Sequence, residues 1–335
     1  MTDYKTIHGK KIKFQTTDLT MSTATEGELF YSDSGSKFKV GVNVKAWASG
    51  GNLNTGRLSG GGSGTQTAAL YASGQPSSPS AGTADSEEYN GTAWTEGSNV
   101  NTGRYEIGGT TAGTQTAGLI FGGNTAPGWN GTTATEEYNG TSWSNGEAMA
   151  TTVSFLGGSG IQTAAFSAGG RTPSSTNNSQ EYDGTDWANG NNINTTRQAL
   201  VGVGTQTAGL IAGGEAPGGG TNASETYDGT NWSNGPNLGT ARYRLSGSGQ
   251  VYTASLVFGG RFNPPAADKA QTESFDGTSW TEEGDMSTTR QQLSGSRGTS
   301  SAALGAGGYV TGGGGTTTAT EEFSASTTLK TVTDS

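Results

Sequence analysis

Read for apolar and polar positions, the chain after Ala46 is one pattern written six times. Each copy opens on a small-residue run, turns through Gly and Thr-Gln into a threonine-flanked apolar run, and then crosses a Gly, Pro, Ser and Thr-rich stretch. It closes with one or two acidic residues ahead of an aromatic and, in all but the last copy, an Asn-Gly or Asp-Gly turn and a Trp. The apolar run recurs as TQTAAL at Thr65, TQTAGL at Thr114, IQTAAF at Ile161, TQTAGL at Thr205, VYTASL at Val251 and TSSAAL at Thr299. The acidic-aromatic pair ends at Tyr89, Tyr138, Tyr182, Tyr227, Phe275 and Phe323. Runs this short, bounded by turn residues, predict four strands per copy. The Asn-Gly and Asp-Gly pairs at 90, 139, 183, 228 and 276 predict two-residue hairpins, because those residues accept positive φ.

The tryptophans set the period. Trp47, Trp94, Trp143, Trp187, Trp232 and Trp280 lie 47, 49, 44, 45 and 48 residues apart. Ten residues after each stand Arg57, Arg104, Val153, Arg197, Arg242 and Arg290. Four-stranded units at this period predict an all-β fold, a six-bladed β-propeller with four-stranded blades, spanning residues 45–323. The last copy has no Trp at position 328, whereas Trp47 precedes the first Arg. The strand around Trp47 is therefore expected to complete the last sheet beside Glu321–Phe323, leaving no open edge. Residues 324–335 are expected to form a tail, running over the surface or without fixed structure.

On the Arg that opens the first strand, the Gly-Gly that closes the second (Gly122–Gly123, Gly169–Gly170, Gly213–Gly214, Gly259–Gly260, Gly307–Gly308) and the aromatic five residues before the Trp, the chain resembles the kelch propeller family. The first copy departs, with Ser73, Gly74 and Gln75 at the Gly-Gly position, and the third lacks the Arg.

Residues 1 to about 44 follow another pattern. Through Lys45 the chain holds seven Lys against five acidic residues, and the alternating run GELFYSDSGSKFKVGV predicts a hairpin turning at Asp33 to Gly35. We read this as a small N-terminal β arm for attachment. A segment EGELFYSDSGSKFKVG ahead of a Trp and Gly-Thr-rich repeats is similar to the start of many tailed-phage fibre and virion surface proteins. That resemblance implies a non-enzymatic virion structural protein, a capsid decoration or tail fibre. It would be joined to other virion proteins through residues 1–44, lie on the virion surface with several copies of itself, and display the propeller towards a host-surface glycan. The alternative is a cellular kelch-like interaction or adhesion module.

Composition changes the picture in three places. The chain carries 59 Gly and only 30% hydrophobic residues, and strict repetition with a Trp per copy is what separates it from a disordered polymer. A net charge of −10 makes nucleic acid a poor partner. The absence of an 18-residue apolar run and the polar stretch Met1–Lys13 argue against membrane insertion and classical secretion.

Candidate chemistry is sparse. With no Cys and a single His, His8, neither a Ser-His-Asp site nor a His metal site can be built in the propeller. The copper oxidases among kelch-like propellers need a Cys-linked Tyr and His ligands that this chain lacks. Sialidase propellers use clustered Arg, a Tyr and acidic residues, and the YDGTNW run at Tyr227 loosely resembles their turn, so a glycan hydrolase of that type is the lesser alternative. The Glu-Glu pairs and turn aspartates are explained by the repeat, and no cofactor or metal is expected.

Arg57, Arg104, Arg197, Arg242 and Arg290 are expected to surround one mouth of the central channel. There they would bind an anionic sugar or phosphate, or else hold the frame by bonding backbone carbonyls or a Glu of the third strand such as Glu137 or Glu322. Trp129 stands outside the repeat positions, on the loop NTAPGWNGTT. The loops between second and third strands vary while the sheets repeat, so recognition is expected there, on Trp129, Arg171, Arg261, Phe262 and Tyr309.

Overall fold

A computed structural model describes residues 4–7, 10–15, 29–32, 37–129, 131–263, 265–312 and 314–332. The chain divides into two compact units, residues 47–323 and residues 1–46 with 324–335.

The larger unit is an all-β propeller. It contains five four-stranded antiparallel sheets, and a sixth is made by Ser294–Thr299, Ala302–Ala306, the start of Thr320–Thr331 and the end of Lys37–Ser49. Within this unit the backbone N–H of Gly50 donates to Thr320 O at 2.9 Å. In every sheet the register brings the closing aromatic opposite the Trp, as in Tyr89 with Trp94 and Tyr138 with Trp143.

The core has no common centre. It consists of six layers, each between two neighbouring sheets. Leu119 and Phe121 of one sheet meet Met149, Val153, Leu156, Tyr182 and Trp187 of the next. Leu304 and Ala306 meet Leu53, Tyr71, Tyr89 and Trp94, which joins the last repeat to the first. Six residues after each of the six repeat Trp stands a buried apolar side chain: Leu53, Val100, Met149, Ile193, Leu238 or Met286.

Polar groups stitch the same seams. Gln115 Nε2 donates to Ala69 O and Tyr89 O of the preceding sheet, and Gln66 does the same to Ala303 O and Phe323 O across the closure. The Tyr hydroxyls reach back to a Glu of the preceding third strand: Tyr138 to Glu88 at 2.5 Å, Tyr182 to Glu137 at 2.6 Å, Tyr227 to Glu181, and Tyr89 to Glu322 at 2.5 Å. The two remaining seams have Thr226 and Ser274 where the Glu would stand, and there the aromatic is Phe275 or Phe323, without a hydroxyl. Acceptor and donor are lost together, so no polar group is stranded in the seam.

Two sequence expectations change, and one departure from the repeat is accommodated. The Asn-Gly and Asp-Gly positions open four-residue loops, not two-residue hairpins. The Asn90 side-chain oxygen accepts the backbone N–H groups of both Thr92 and Ala93, which closes a longer loop without a primed turn. Second, Ser73 does not disturb the first repeat. It adopts φ 60°, as Gly122 does at 65°, and its hydroxyl donates to Thr83 O and Arg104 O. Third, residues 324–331 are not a loose tail. Their threonine-rich sequence suits a strand, and they continue Thr320–Thr331 as part of the smaller unit, where Val332 N donates to Phe38 O.

In the smaller unit, Tyr4–Ile7 pairs antiparallel with Lys10–Gln15, which runs parallel to Leu29–Ser32. Leu29–Ser32 in turn pairs antiparallel with the strand from Lys37, Ser32 lying opposite Lys37. The turn expected at Asp33 to Gly35, and His8, lie outside the described residues.

Trp47 behaves as the Trp of the last sheet. Its Nε1 donates to Thr272 Oγ1 at 2.9 Å, and its ring packs on Phe258 and Phe323 at 4.8 and 5.4 Å. Being only half-buried, it is expected to cost about 2–4 kcal/mol when replaced by Ala, less than a fully buried Trp. Urea unfolding of Trp47→Ala measures this, and an unchanged midpoint would show that the sheet closes without it.

Candidate functional site

The five repeat arginines are not at the channel mouth. All have no accessible surface, and each is ion-paired to a buried third-strand Glu: Arg57 to Glu87 (2.7 Å), Arg104 to Glu136 (2.9 Å), Arg197 to Glu225 (3.1 Å), Arg242 to Glu273 (2.6 Å) and Arg290 to Glu321 (2.6 Å). The partner is thus one residue before Glu137 and Glu322, which face the other way and take the tyrosines described above. Strand alternation makes the two acidic neighbours point to opposite faces. Arg104 Nη1 also donates to Gly122 O and Ala134 O, and Arg290 Nη1 to Gly307 O and Ala319 O. The second carboxylate oxygen takes a backbone N–H from the link between sheets, Asn101 for Glu136 and Ser287 for Glu321. Burial pulls the guanidinium of Arg104 below its ordinary range, against the attraction of Glu136. With every donor turned inward, these side chains offer nothing to a ligand.

The third repeat carries the complementary exception. Val153 replaces the Arg and Gln180 replaces the Glu, and the Gln180 side chain still accepts the backbone N–H of Thr151 at 3.0 Å. The pair has been exchanged whole, which avoids leaving one buried charge uncompensated.

The mouth is built two residues further on. Ser59, Glu106, Phe155, Ala199, Arg244 and Gln292 all have φ between 53 and 58°, uncommon for residues with a side chain. Their backbones form a closed belt. Ser59 N donates to Gln292 O, Gln292 N to Arg244 O, Arg244 N to Ala199 O, Ala199 N to Phe155 O, Phe155 N to Glu106 O, and Glu106 N to Ser59 O, at 2.7 to 3.0 Å. One left-handed residue per repeat lets each strand deliver an N–H to its neighbour around the axis. Their side chains, which differ in every repeat, line the opening.

Two cavities widen this opening beneath the variable loops. One, of about 250 Å³, is bounded by Gln75, Ser78, Glu106, Arg244, Arg261, Gln291, Gln292 and Tyr309. The other, of about 310 Å³, is bounded by Gln75, Ser78, Tyr105, Glu106, Asn124, Trp129, Phe155 and Arg171. They share Gln75, Ser78 and Glu106. The loops reach this face because the residue after each repeat Arg bridges to the residue after Gly-Gly, as Tyr105 does to Asn124 and Gln291 to Tyr309.

The structure therefore brings together Trp129, Arg171, Arg261 and Tyr309 of the expected residues. Phe262 does not line either cavity; it packs under Lys269, whose Nζ lies 5.4 Å from its ring centre. Glu106, Arg244, Tyr105 and Gln75 were missed, because they sit on repeat positions whose neighbours in other copies are unremarkable. The unusual residue at a fixed offset from the Arg was the available signal.

Glu106 is the charged centre. Burial pushes its carboxyl up to about 7, against the lowering effects of a 2.5 Å hydrogen bond from Asn124 Nδ2 and of Arg244 and Arg171. Arg244 donates to Gln291 Oε1 and Gln292 Oε1 at 3.3 and 3.4 Å, and its guanidinium lies 5.6 Å from the Phe155 ring centre. Arg171 Nε donates to Pro173 O at 2.6 Å. Arg261 pairs with Asp268 at 3.6 Å. Such a mouth offers planar donors, one carboxyl poised near neutrality and an aromatic rim. Among the described residues no cluster of acidic or His side chains has the form of a metal site.

No protein-family profile and no curated protein matches the chain in sequence. Among solved structures the fold is shared with YjhT, at a TM-score of 0.67 and 13% identity, over 83% of this chain and 99% of that one. The likeness is one of fold. It corrects the expectation of a chain without enzymatic activity. That expectation rested on missing His and Cys, whereas the sialidase propellers named above work without them, so their absence does not exclude catalysis on this fold.

Two outcomes are expected. Arg104→Val should cost about 3–5 kcal/mol by stranding Glu136, and adding Glu136→Gln should restore most of it, reproducing the third repeat. Denaturant titration of both variants decides this, and a double variant no more stable than the single would refute the pairwise account. For Glu106, a folded-state pKa above the ordinary carboxylate value means the native state holds the proton longer. The stability it contributes is complete below about 4.5 and lost as pH rises through about 7. Melting temperatures of wild type should therefore fall relative to Glu106→Gln between those pH values. A difference independent of pH there would show that Glu106 titrates normally.

Proposed function

We propose that this chain is a six-bladed glycan-binding propeller, displayed on the surface of a tailed-phage particle, with the mouth as its binding face and the smaller unit as its attachment to other virion proteins. The observation that carries the binding reading is the meeting of an aromatic-rimmed cavity with one lined by Arg and Gln. Sugars present apolar ring faces to aromatics and hydroxyls to planar donors, and both are offered at one opening. The loops supporting them are variable in sequence and stand on a rigid, repeated scaffold. The particle setting rests on the N-terminal resemblance and on that segment belonging, with residues 324–335, to a compact unit distinct from the propeller.

A hydrolase acting on the same glycan is the second reading. The Glu106 carboxyl, held near neutral pH, is suited to donate a proton to a leaving sugar oxygen.

Trp129 is more than a third exposed and off the repeated core. Trp129→Ala is therefore expected to leave the melting temperature within about 2 °C of wild type, as surface changes do, while weakening binding to a glycan array by about tenfold, as for the loss of a ring-stacking contact. Loss of stability with binding intact would return Trp129 to the frame. Fluorescently labelled chain, with and without residues 1–44, should differ in its joining to particles; equal incorporation would remove the attachment role.

A further inference from the structure

The two cavities at the mouth differ in chemistry, and that difference says more about the ligand than either cavity alone. The first is ringed by guanidinium and amide groups. The second is walled by the Trp129, Tyr105 and Phe155 rings, with Arg171 at its edge. Glu106, Gln75 and Ser78 belong to both, so the cavities adjoin and a ligand can pass from one to the other without leaving the wall.

Charge separates them further. Arg244 and Arg171 have no carboxylate within ion-pair distance among the described residues; their hydrogen bonds run to Gln291, Gln292 and Pro173, all uncharged acceptors. Arg261 is matched by Asp268 at the longer distance of 3.6 Å, with its Nη1 also on Thr311. Three arginines thus stand against two carboxyls, Glu106 and Asp268, in a chain whose net charge is −10. Elsewhere the buried repeat arginines are each matched by a Glu. Unmatched guanidinium groups at an open cavity are donors without an anion, in an otherwise acidic protein that repels anions.

Resting on the glycan-binding reading above, we infer that the mouth takes an anionic oligosaccharide, not a single sugar, with a charged residue in the Arg244–Arg261 cavity and a neighbouring uncharged ring against Trp129. The bidentate geometry of guanidinium suits a carboxylate or a sulfate equally, so the shared chemistry is an oxyanion carried on a pyranose. The aromatic cavity adds area and ring stacking, with Arg171 as the one charged group at its edge. Length and charge are then read by different residues.

The test is a defined array of the full chain against carboxylated, sulfated and uncharged glycans, each from mono- to tetrasaccharide, with carboxyl-reduced and desulfated counterparts. Retention is expected for charged di- to tetrasaccharides, about tenfold or more above the charged monosaccharide and above the uncharged counterparts. Arg244→Gln should remove the preference for charge while the preference for length persists. Trp129→Ala should remove the preference for length while the charged monosaccharide is held as before. Circular dichroism melts of both variants, matching wild type, keep the comparison to the site; if Arg244→Gln melts early, Arg261→Gln takes its place. Equal retention of uncharged counterparts overturns the anionic assignment while leaving glycan binding in place. Equal retention of mono- and oligosaccharides overturns the two-cavity span. Retention of no glycan of any kind overturns the glycan-binding reading itself, and the inference with it.

Discussion

No sheet of this propeller is complete by itself. Most leave polar ends that the preceding sheet satisfies: a Gln amide, a Tyr hydroxyl or a Trp indole on one side, backbone carbonyls, a Thr hydroxyl or a Glu on the other. Each also leaves an apolar face that only a neighbour can cover. The cost of an unpaired buried polar group is comparable to the net gain from several pairs. Closure of the ring is therefore the condition under which every repeat becomes favourable, and the junction of last and first repeats, through Gln66, Tyr89 and Trp94, uses the kinds of contact that recur at other seams.

This explains which parts of the fold were legible. Trp spacing, the Arg offset and the apolar runs report positions that every copy needs, so repetition alone exposes them. The seams were legible too, though only by comparing adjacent copies. Tyr goes with a Glu in the copy before it, and Phe275 and Phe323 go with Thr226 and Ser274. Val153 and Gln180 change together within one copy for the same reason. The turn after each third strand was misread because Asn-Gly and Asp-Gly serve two loop types, and the choice depends on the side-chain oxygen capturing two N–H groups. The left-handed belt had no signature in backbone preference. Ser, Glu, Phe, Ala, Arg and Gln occupy it, residues chosen for what they present to the mouth and not for their backbone preference.

That belt joins stability to function. A residue with a side chain in the left-handed region costs on the order of 1–3 kcal/mol, and such strain persists only where the surroundings over-determine it. Here the over-determination is a cycle of hydrogen bonds, each of which fixes the next. Glycine would relieve the strain at each position, and in none of the six does it occur. The side chain is retained against the backbone's preference, as expected where it has something to do at the opening.

The asymmetry of the mouth follows from the same division of labour. In the frame, each repeat must resemble its neighbours, since a seam is an agreement between two copies. At the belt and in the loops beyond Gly-Gly, nothing has to match, because those side chains face the opening and not a neighbouring sheet. The fourth, fifth and sixth repeats use this freedom for short hairpins, Glu215–Ala216 with Gly219–Gly220, Arg261–Phe262 with Ala267–Asp268, and Tyr309–Val310 with Gly315–Thr316. The second repeat uses it for the Pro and Gly-bounded loop that carries Trp129. A six-fold scaffold can in this way present a surface with no symmetry, in which a guanidinium and a carboxyl occur once each at equivalent positions, as Arg244 and Glu106 do. Chemistry at the mouth can therefore change without a matching change anywhere in the ring, whereas a change in a seam is stable only when its partner changes with it.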